Sequence, residues 1–334
     1  TYVINGDFRK LNINTINRLD QGMAVNFFFE GNGLAYLYYY LPRSENLGFG
    51  LTSLIVNITC FSLAFIFLQK INKKLKIDNK WLYLFFLNPQ LIFYSQTINK
   101  EPFTLFFTFL SIYLLLEKKY FYLIIVAFIF GSIREHHLVF LVLLIYLYNS
   151  KTLKSFSLRL FISYIFMGII SIFYFSASYD PSNLNFAGKF SNLIGILDQY
   201  GIGYFLIAPI RIMQNFYDQF YQSFFFILPA YSYVSDGSLY YAKEGLISIY
   251  KLKELLPNIL LLFFILIQML TFKIKFNWFF GPQKIYYIAI ICFILVVSVS
   301  PVVHSRYLFP AIIIFLLIVS NTFKFSKTRN LVKD

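Results

Sequence analysis

From Leu51 to Leu68 the chain runs through eighteen residues without a single charge. About that many apolar residues are needed for a helix to cross the hydrocarbon of a bilayer. Runs of the same kind recur near 49–69, 81–98, 102–116, 120–133, 138–149, 159–176, 256–272, 285–302 and 308–323. Some are short for a straight crossing, and 120–133 and 138–149 are either buried half-helices or longer than these limits. The chain also carries 43 Phe and 27 Tyr, and only 13% of its residues are charged, against roughly 25% in a typical soluble chain. One water-soluble core could not hide that much aromatic surface. A soluble domain, a disordered chain and a disulfide scaffold are therefore excluded. The expected fold is all-α, a polytopic integral membrane helical bundle of about 9–11 spans forming a single membrane domain over 1–334.

The connectors set the orientation. One set is basic: Lys70, Lys73, Lys74, Lys76 and Lys80; Lys118 and Lys119; Lys151, Lys154 and Arg159; Lys273, Lys275 and Lys284; and the tail Lys324, Lys327, Arg329 and Lys333. These alternate with the other connectors as successive crossings require. Placing them in the cytoplasm gives every span a consistent direction. The whole net charge of +14 then sits on that side, so it reports orientation and contact with anionic lipids, and no nucleic-acid partner is implied. The organisation read from this is an outer-face segment 1–48, a first helical group 49–176, a long outer-face segment 177–255, a last helical group 256–323 and a basic cytoplasmic tail 324–334. Because 1–48 begins outside, one more span is expected before Thr1. Segment 177–255 holds two apolar patches, Tyr204–Ile212 and Phe224–Tyr231, read as interfacial helices, re-entrant pieces or a closely spaced pair of spans. Cys60 and Cys292 lie inside apolar runs and act as fillers.

Charge near a membrane core is costly and needs a reason. Four outer-face constellations stand out. Asn99-Lys100-Glu101-Pro102 opens a helix, with Pro102 suited to the first turn, and its free N–H groups beside Lys100 form a candidate anion site unless Glu101 neutralises Lys100. In Arg134-Glu135-His136-His137, a helical path would put Arg134 and His137 on one face. Arginine suits phosphate and histidine suits removing a proton from a sugar hydroxyl. Adjacent histidines do not share a helix face, so no metal site is expected. His304-Ser305-Arg306-Tyr307 repeats the Arg–His pairing, and Arg211 stands alone in an apolar patch. In the first segment Glu30 is ringed by Phe27, Phe28, Phe29, Tyr36, Tyr38, Tyr39 and Tyr40, a setting that suits a base. Gly31 and Gly33 would let the chain turn sharply beside it. Walker A, HExxH and GxSxG patterns are absent, and no cofactor is implied.

Three stretches together resemble the Wzy-type polymerases of bacterial surface polysaccharides, including the EpsG-like branch, and the wider GT-C-like membrane glycosyltransferases. The first is Glu30-Gly31-Asn32-Gly33-Leu34 leading into a span. The second is Asn88-Pro89-Gln90-Leu91-Ile92-Phe93-Tyr94-Ser95, then Asn99-Lys100-Glu101, then an apolar run and Arg134-Glu135-His136-His137. The third is Arg306-Tyr307-Leu308-Phe309-Pro310. The resemblance implies polymerisation of undecaprenyl-pyrophosphate-linked oligosaccharide repeat units at the outer face of the bacterial inner membrane, for O-antigen, capsule or exopolysaccharide. Its implied partners are the lipid-linked oligosaccharides and membrane lipids, with a chain-length-regulating co-polymerase left open. Lys100, Arg134, Arg211 and Arg306, with Tyr307, would hold the substrate phosphates. His137 or His136, then His304, would take the acceptor proton, and Glu30 and Glu101 would orient or neutralise the basic groups. The alternatives are a GT-C transferase using a polyprenyl-monophosphate donor, with Asp7 as its base, and a polysaccharide or lipid transporter.

Overall fold

A computed structural model describes residues 13–27, 32–41, 50–77, 91, 100–175, 209, 231–233, 239–241, 281–298 and 308–318. The expected span 81–98 but for Leu91, the span 256–272, the patch Tyr204–Ile212 but for Pro209, and the basic tail lie outside the described residues. What is described is helical apart from one short strand pair. In chain order the elements are α1 (Ile13–Asp20), α2 (Gly33–Tyr40), α3 (Gly50–Leu75), α4 (Glu101–Leu116), α5 (Tyr120–Ile133), α6 (His136–Tyr148), α7 (Leu153–Phe175), β1 (Tyr231–Tyr233), β2 (Leu239–Tyr241), α8 (Lys284–Ser298) and α9 (Phe309–Ile318).

Two of these helices, in α3 and α7, are long and apolar enough to cross a membrane, and only 33% and 22% of their most apolar stretches are buried. The helices α4, α5, α6, α8 and α9 are apolar but shorter. Around an apolar core, large apolar side chains are also left exposed. Phe121, Ile124, Phe128 and Ile129 stand exposed along α5, and Leu158, Phe161, Ile162, Phe166 and Ile169 along α7. Meanwhile Ser53, Asn57, Asn72, Thr104, Thr108 and Ser111 are buried. One of these polar groups ties two helices: the Tyr286 hydroxyl donates to Asn72 Oδ1 at 2.6 Å, joining α8 to α3, whereas Thr108 donates to the Thr104 carbonyl of its own helix.

One end of the bundle gathers the basic connectors. Lys74, near the end of α3, pairs with Glu117 just past α4 at 2.6 Å. Lys284, at the start of α8, donates to the carbonyls of Tyr148, the last residue of α6, and of Ser150 beyond it. Arg159 of α7 donates to the Tyr146 carbonyl at 2.6 Å. Cations thus meet carbonyls that a helix C-terminus leaves without intrahelical partners. α3 and α4 end in the same turn. In each, the residue past the C-cap takes a positive φ, Lys76 at 55° and Lys118 at 57°. The following N–H groups bond back to Asn72 O and Leu114 O, which is the Schellman termination usually given to glycine.

α3 and α4 run parallel. Both C-termini meet at the Lys74–Glu117 pair, and the Phe67 ring packs on Phe106 and Tyr113. Glu101 lies sixteen residues before Glu117, and sixteen before Lys74 is Ile58, eight residues inside the start of α3. At 1.5 Å per residue, α3 therefore runs about 12 Å past the level at which α4 begins. α5 and α6, of 14 and 13 residues, form a hairpin whose turn is Arg134-Glu135. Each is only about 20 Å long. The runs 120–133 and 138–149 are thus short helices and do not extend further, though α5 is exposed along one face rather than buried.

The first segment forms a helical unit of its own. Thr15 of α1 donates to Asn32 Oδ1, Asn32 Nδ2 donates to the Asn26 carbonyl, and the Tyr36 hydroxyl donates to the Val25 carbonyl. α2 then docks on the end of α5. Gly33 does not make the sharp turn expected of it. It is the first residue of α2, and a Cβ there would overlap Ser132, including its backbone. Its smallness serves a close approach of two helices.

In segment 177–255 the strand pair departs from the expected helical patches. Tyr231, which closes Phe224–Tyr231, pairs with Tyr241, Ser232 with Tyr240 and Tyr233 with Leu239, antiparallel. Alternating tyrosines suit a strand, and the intervening Val234-Ser235-Asp236-Gly237-Ser238 carries the Asp-Gly signal of a hairpin.

Candidate functional site

At the end opposite the basic connectors, the start of α4 and the α5–α6 turn bring Lys100, Glu101, Arg134, His136 and His137 together. α4 starts there because Pro102 sits in its first turn, where a missing N–H costs nothing, and Glu101 places a negative charge at the positive end of the helix dipole. α5 stops at Ile133 because Arg134 turns extended, with φ −147° and ψ 115°. α6 restarts at His136. Arg134 and His137 are therefore not on one continuous helix, contrary to the spacing argument. The turn brings them together instead.

Glu101 does not sit as the counter-ion of its neighbour Lys100 alone, since Arg134 Nη2 donates to Glu101 Oε1 at 2.6 Å. The carboxylate is fully buried and Arg134 is 7% exposed. Arg134 Nη1 also reaches Thr104 Oγ1, at 3.3 Å. His137, 1% exposed, is bonded at both ring nitrogens: Nδ1 to the Phe130 carbonyl at 2.9 Å and Nε2 to Thr104 Oγ1 at 3.1 Å. Its ring stacks on Phe107, centroids 4.5 Å apart, and meets Phe130 edge-on. His136 is partly exposed, with its ring 5.6 Å from that of His137. The positive charges of Lys100 and Arg134 both act on the two imidazoles.

Desolvating an ion pair is expensive, and it is tolerated where geometry and added hydrogen bonds compensate. The cluster thus holds a cation, a carboxylate, a hydroxyl and an imidazole ready in a low-dielectric pocket of side chains. In the arrangement seen, the guanidinium charge is satisfied from within.

Thr104, Phe107 and the Phe130 carbonyl belong to this site and were not singled out from the sequence. Thr104, Thr108 and Ser111 recur at helical spacing on one face of an apolar helix, and that stripe was the available signal. Glu30, Arg211, His304, Arg306 and Tyr307, with Asp7, lie outside the described residues. Val297 and Leu308, on either side of the connector bearing His304 and Arg306, pack together. No family model, curated protein or solved structure matches this chain.

Proposed function

We propose that this chain is a polytopic membrane glycosyltransferase of nine to eleven spans. Its reaction is the joining of undecaprenyl-pyrophosphate-linked oligosaccharide units at the outer face of the bacterial cytoplasmic membrane. The observation that carries the reading is the buried Glu101–Arg134–Thr104–His137 cluster, set about 12 Å below the outer end of α3 in a bundle whose outer surface is apolar. Polar groups so placed are costly, and they suit an amphiphile whose charged group reaches the helices from the lipid side.

The chemistry follows from the residues. An imidazole accepts the proton of the acceptor hydroxyl, the hydroxyl oxygen bonds to the anomeric carbon, and the bond from that carbon to the pyrophosphate oxygen breaks. The leaving group departs with negative charge, and preorganised cations are what lower the barrier to that step. Lys100 and Arg134 supply charge from the described site, and Arg211, Arg306 and Tyr307 are proposed to complete it. Glu101 is the counter-ion that holds Arg134 between turnovers. Glu30 and His304 remain proposed catalytic groups from the flanking segments.

The test is purified protein in lipid nanodiscs with a matched lipid-linked oligosaccharide, read by gel and mass spectrometry. A ladder of repeat units with released undecaprenyl pyrophosphate is the expected result. Addition of one sugar from a polyprenyl-monophosphate donor would replace this reading with the GT-C transferase, and movement of substrate without covalent product would replace it with transport.

A further inference from the structure

We propose that Thr104 is the positioning residue of this site, its hydroxyl donating to Nε2 of His137 and coupling that imidazole to the Arg134–Glu101 pair. The part of this that concerns turnover rests on the glycan-polymerase reading; the hold on His137 does not.

The argument is a count of protons. A carbonyl oxygen only accepts, so the contact from His137 Nδ1 to the Phe130 carbonyl requires the proton on Nδ1. In a neutral ring Nε2 is then an acceptor, and its partner at 3.1 Å is Thr104 Oγ1. A threonine hydroxyl has one proton to give. Two acceptors compete for it: His137 Nε2 and the Lys100 carbonyl at 3.0 Å. The Lys100 carbonyl already accepts the Thr104 backbone N–H, also at 3.0 Å, so it loses little when the hydroxyl turns away. A buried imidazole nitrogen left unserved loses more. The hydroxyl therefore goes to His137. Its oxygen meanwhile accepts from Arg134 Nη1, which polarises the O–H and makes it a better donor.

The result is one chain of bonds: Glu101 to Arg134, Arg134 to Thr104, Thr104 to His137, His137 to the Phe130 carbonyl. It crosses from the start of α4 to the ends of α5 and α6. Phe107 and Phe130 pack the ring and keep its two nitrogens from exchanging places. Only one other proton arrangement is self-consistent: His137 protonated on both nitrogens, Nε2–H donating to Thr104, and the hydroxyl returned to the Lys100 carbonyl.

Two measurements test this. The first is nitrogen NMR on histidine-labelled protein in nanodiscs, where three histidines keep assignment simple and His136→Gln and His304→Gln identify His137. The expected signature is a protonated Nδ1 and an unprotonated, hydrogen-bonded Nε2. In Thr104→Val the Nε2 signal moves to that of a nitrogen without a donor, and in Thr104→Ser it stays at the wild-type position. A protonated Nε2 in the wild type, or an Nε2 signal unmoved by Thr104→Val, overturns the proposal. The second is polymer formation: Thr104→Val should lose about tenfold or more, because Arg134 loses its Thr104 anchor and small misplacements of such a group are costly, and Thr104→Ser should restore it. Wild-type turnover in a correctly folded Thr104→Val protein also overturns the positioning role. If the wild-type protein makes no polymer from matched substrate, the reaction reading fails, and the NMR result alone then decides the place of Thr104.

Discussion

Deleting the Arg134 guanidinium strands the Glu101 carboxylate where water does not reach. Breaking one partner of a buried pair costs about 3–5 kcal/mol, whereas replacing both with apolar groups of similar volume is often close to neutral. Arg134→Met and Glu101→Leu should each lower the melting temperature in detergent, and the double variant should recover most of the loss. A double variant that loses the sum of the two single losses would show that the pair is not coupled. The same series separates folding from chemistry: the double variant should be stable and make no polymer, because the cation that meets the leaving group is gone. The partners of Arg134 were not legible in the sequence. Glu101 stands 33 residues away, and a reading along the chain paired it with adjacent Lys100. Arg134 and His137 were rightly placed together for the wrong reason, since helical spacing would have served equally well had Arg134 been helical. Thr104 was passed over because a threonine in an apolar run is ordinary until its neighbours are known.

Helix ends carry their own information. α1 closes with a Schellman turn at Gly22, φ 71°, whereas α3 and α4 close with the same turn at Lys76 and Lys118. The left-handed conformation costs a non-glycine residue about 1–2 kcal/mol, and glycine repays roughly 0.5–1 kcal/mol of that through its freer unfolded chain. Lys76→Gly and Lys118→Gly should therefore each stabilise the fold, by about 0.5–1 kcal/mol, in reversible denaturation. A loss of stability would mean that the lysine charge at the helix end outweighs the backbone term. Beside these turns, the hydrogen bond from Lys74 holds the Glu117 carboxyl below the usual carboxylate range. A depressed carboxylate stabilises above its unfolded pKa, and that contribution disappears as pH falls through the folded value. Glu117 is open to water, so the effect is small and weakened by salt. Lys74→Gln should remove the acid-side part of the melting profile that depends on this pair and leave the neutral-to-alkaline part unchanged in slope. At the docking of α2, Gly33→Ala should separate α2 from α5, since the new methyl meets Ser132 backbone that cannot rotate aside. Overpacking of this kind costs about 1–3 kcal/mol, read as a lowered melting temperature.

At the scale of the molecule, the apolar runs found along the chain became helices at 50–75, 101–116, 120–133, 136–148, 153–175, 284–298 and 309–318, because an uninterrupted apolar stretch leaves the backbone few other ways to satisfy itself. What composition could not convey is which face of each helix turns inward. These helices are apolar all round, so amphipathic periodicity is weak, and a few small polar residues such as Asn57, Asn72 and Thr108 mark the inner faces instead. The α1–α2 unit was illegible for the opposite reason: its helices are short and held by long-range bonds such as Thr15 to Asn32. The bundle nevertheless sorts its charges by end, with Lys119, Lys151 and Lys284 at one end and the Glu101–Arg134 pair at the other. That sorting makes a sidedness prediction under the membrane reading. Both native cysteines are buried, so background labelling by a membrane-impermeant maleimide should be low. Lys119→Cys and Lys151→Cys should react only in inverted vesicles, where the cytoplasmic face is outside. Met23→Cys, 49% exposed on the α1–α2 unit, should react only in right-side-out vesicles. If Lys119→Cys and Lys151→Cys label from opposite sides, the hairpin of α5 and α6 does not return to the face it left, and the shared outer site at its turn has no membrane in which to be recessed. If all three label equally in both kinds of sealed vesicle, the chain does not cross the bilayer in one orientation, and the lipid-linked substrate loses its route to Arg134.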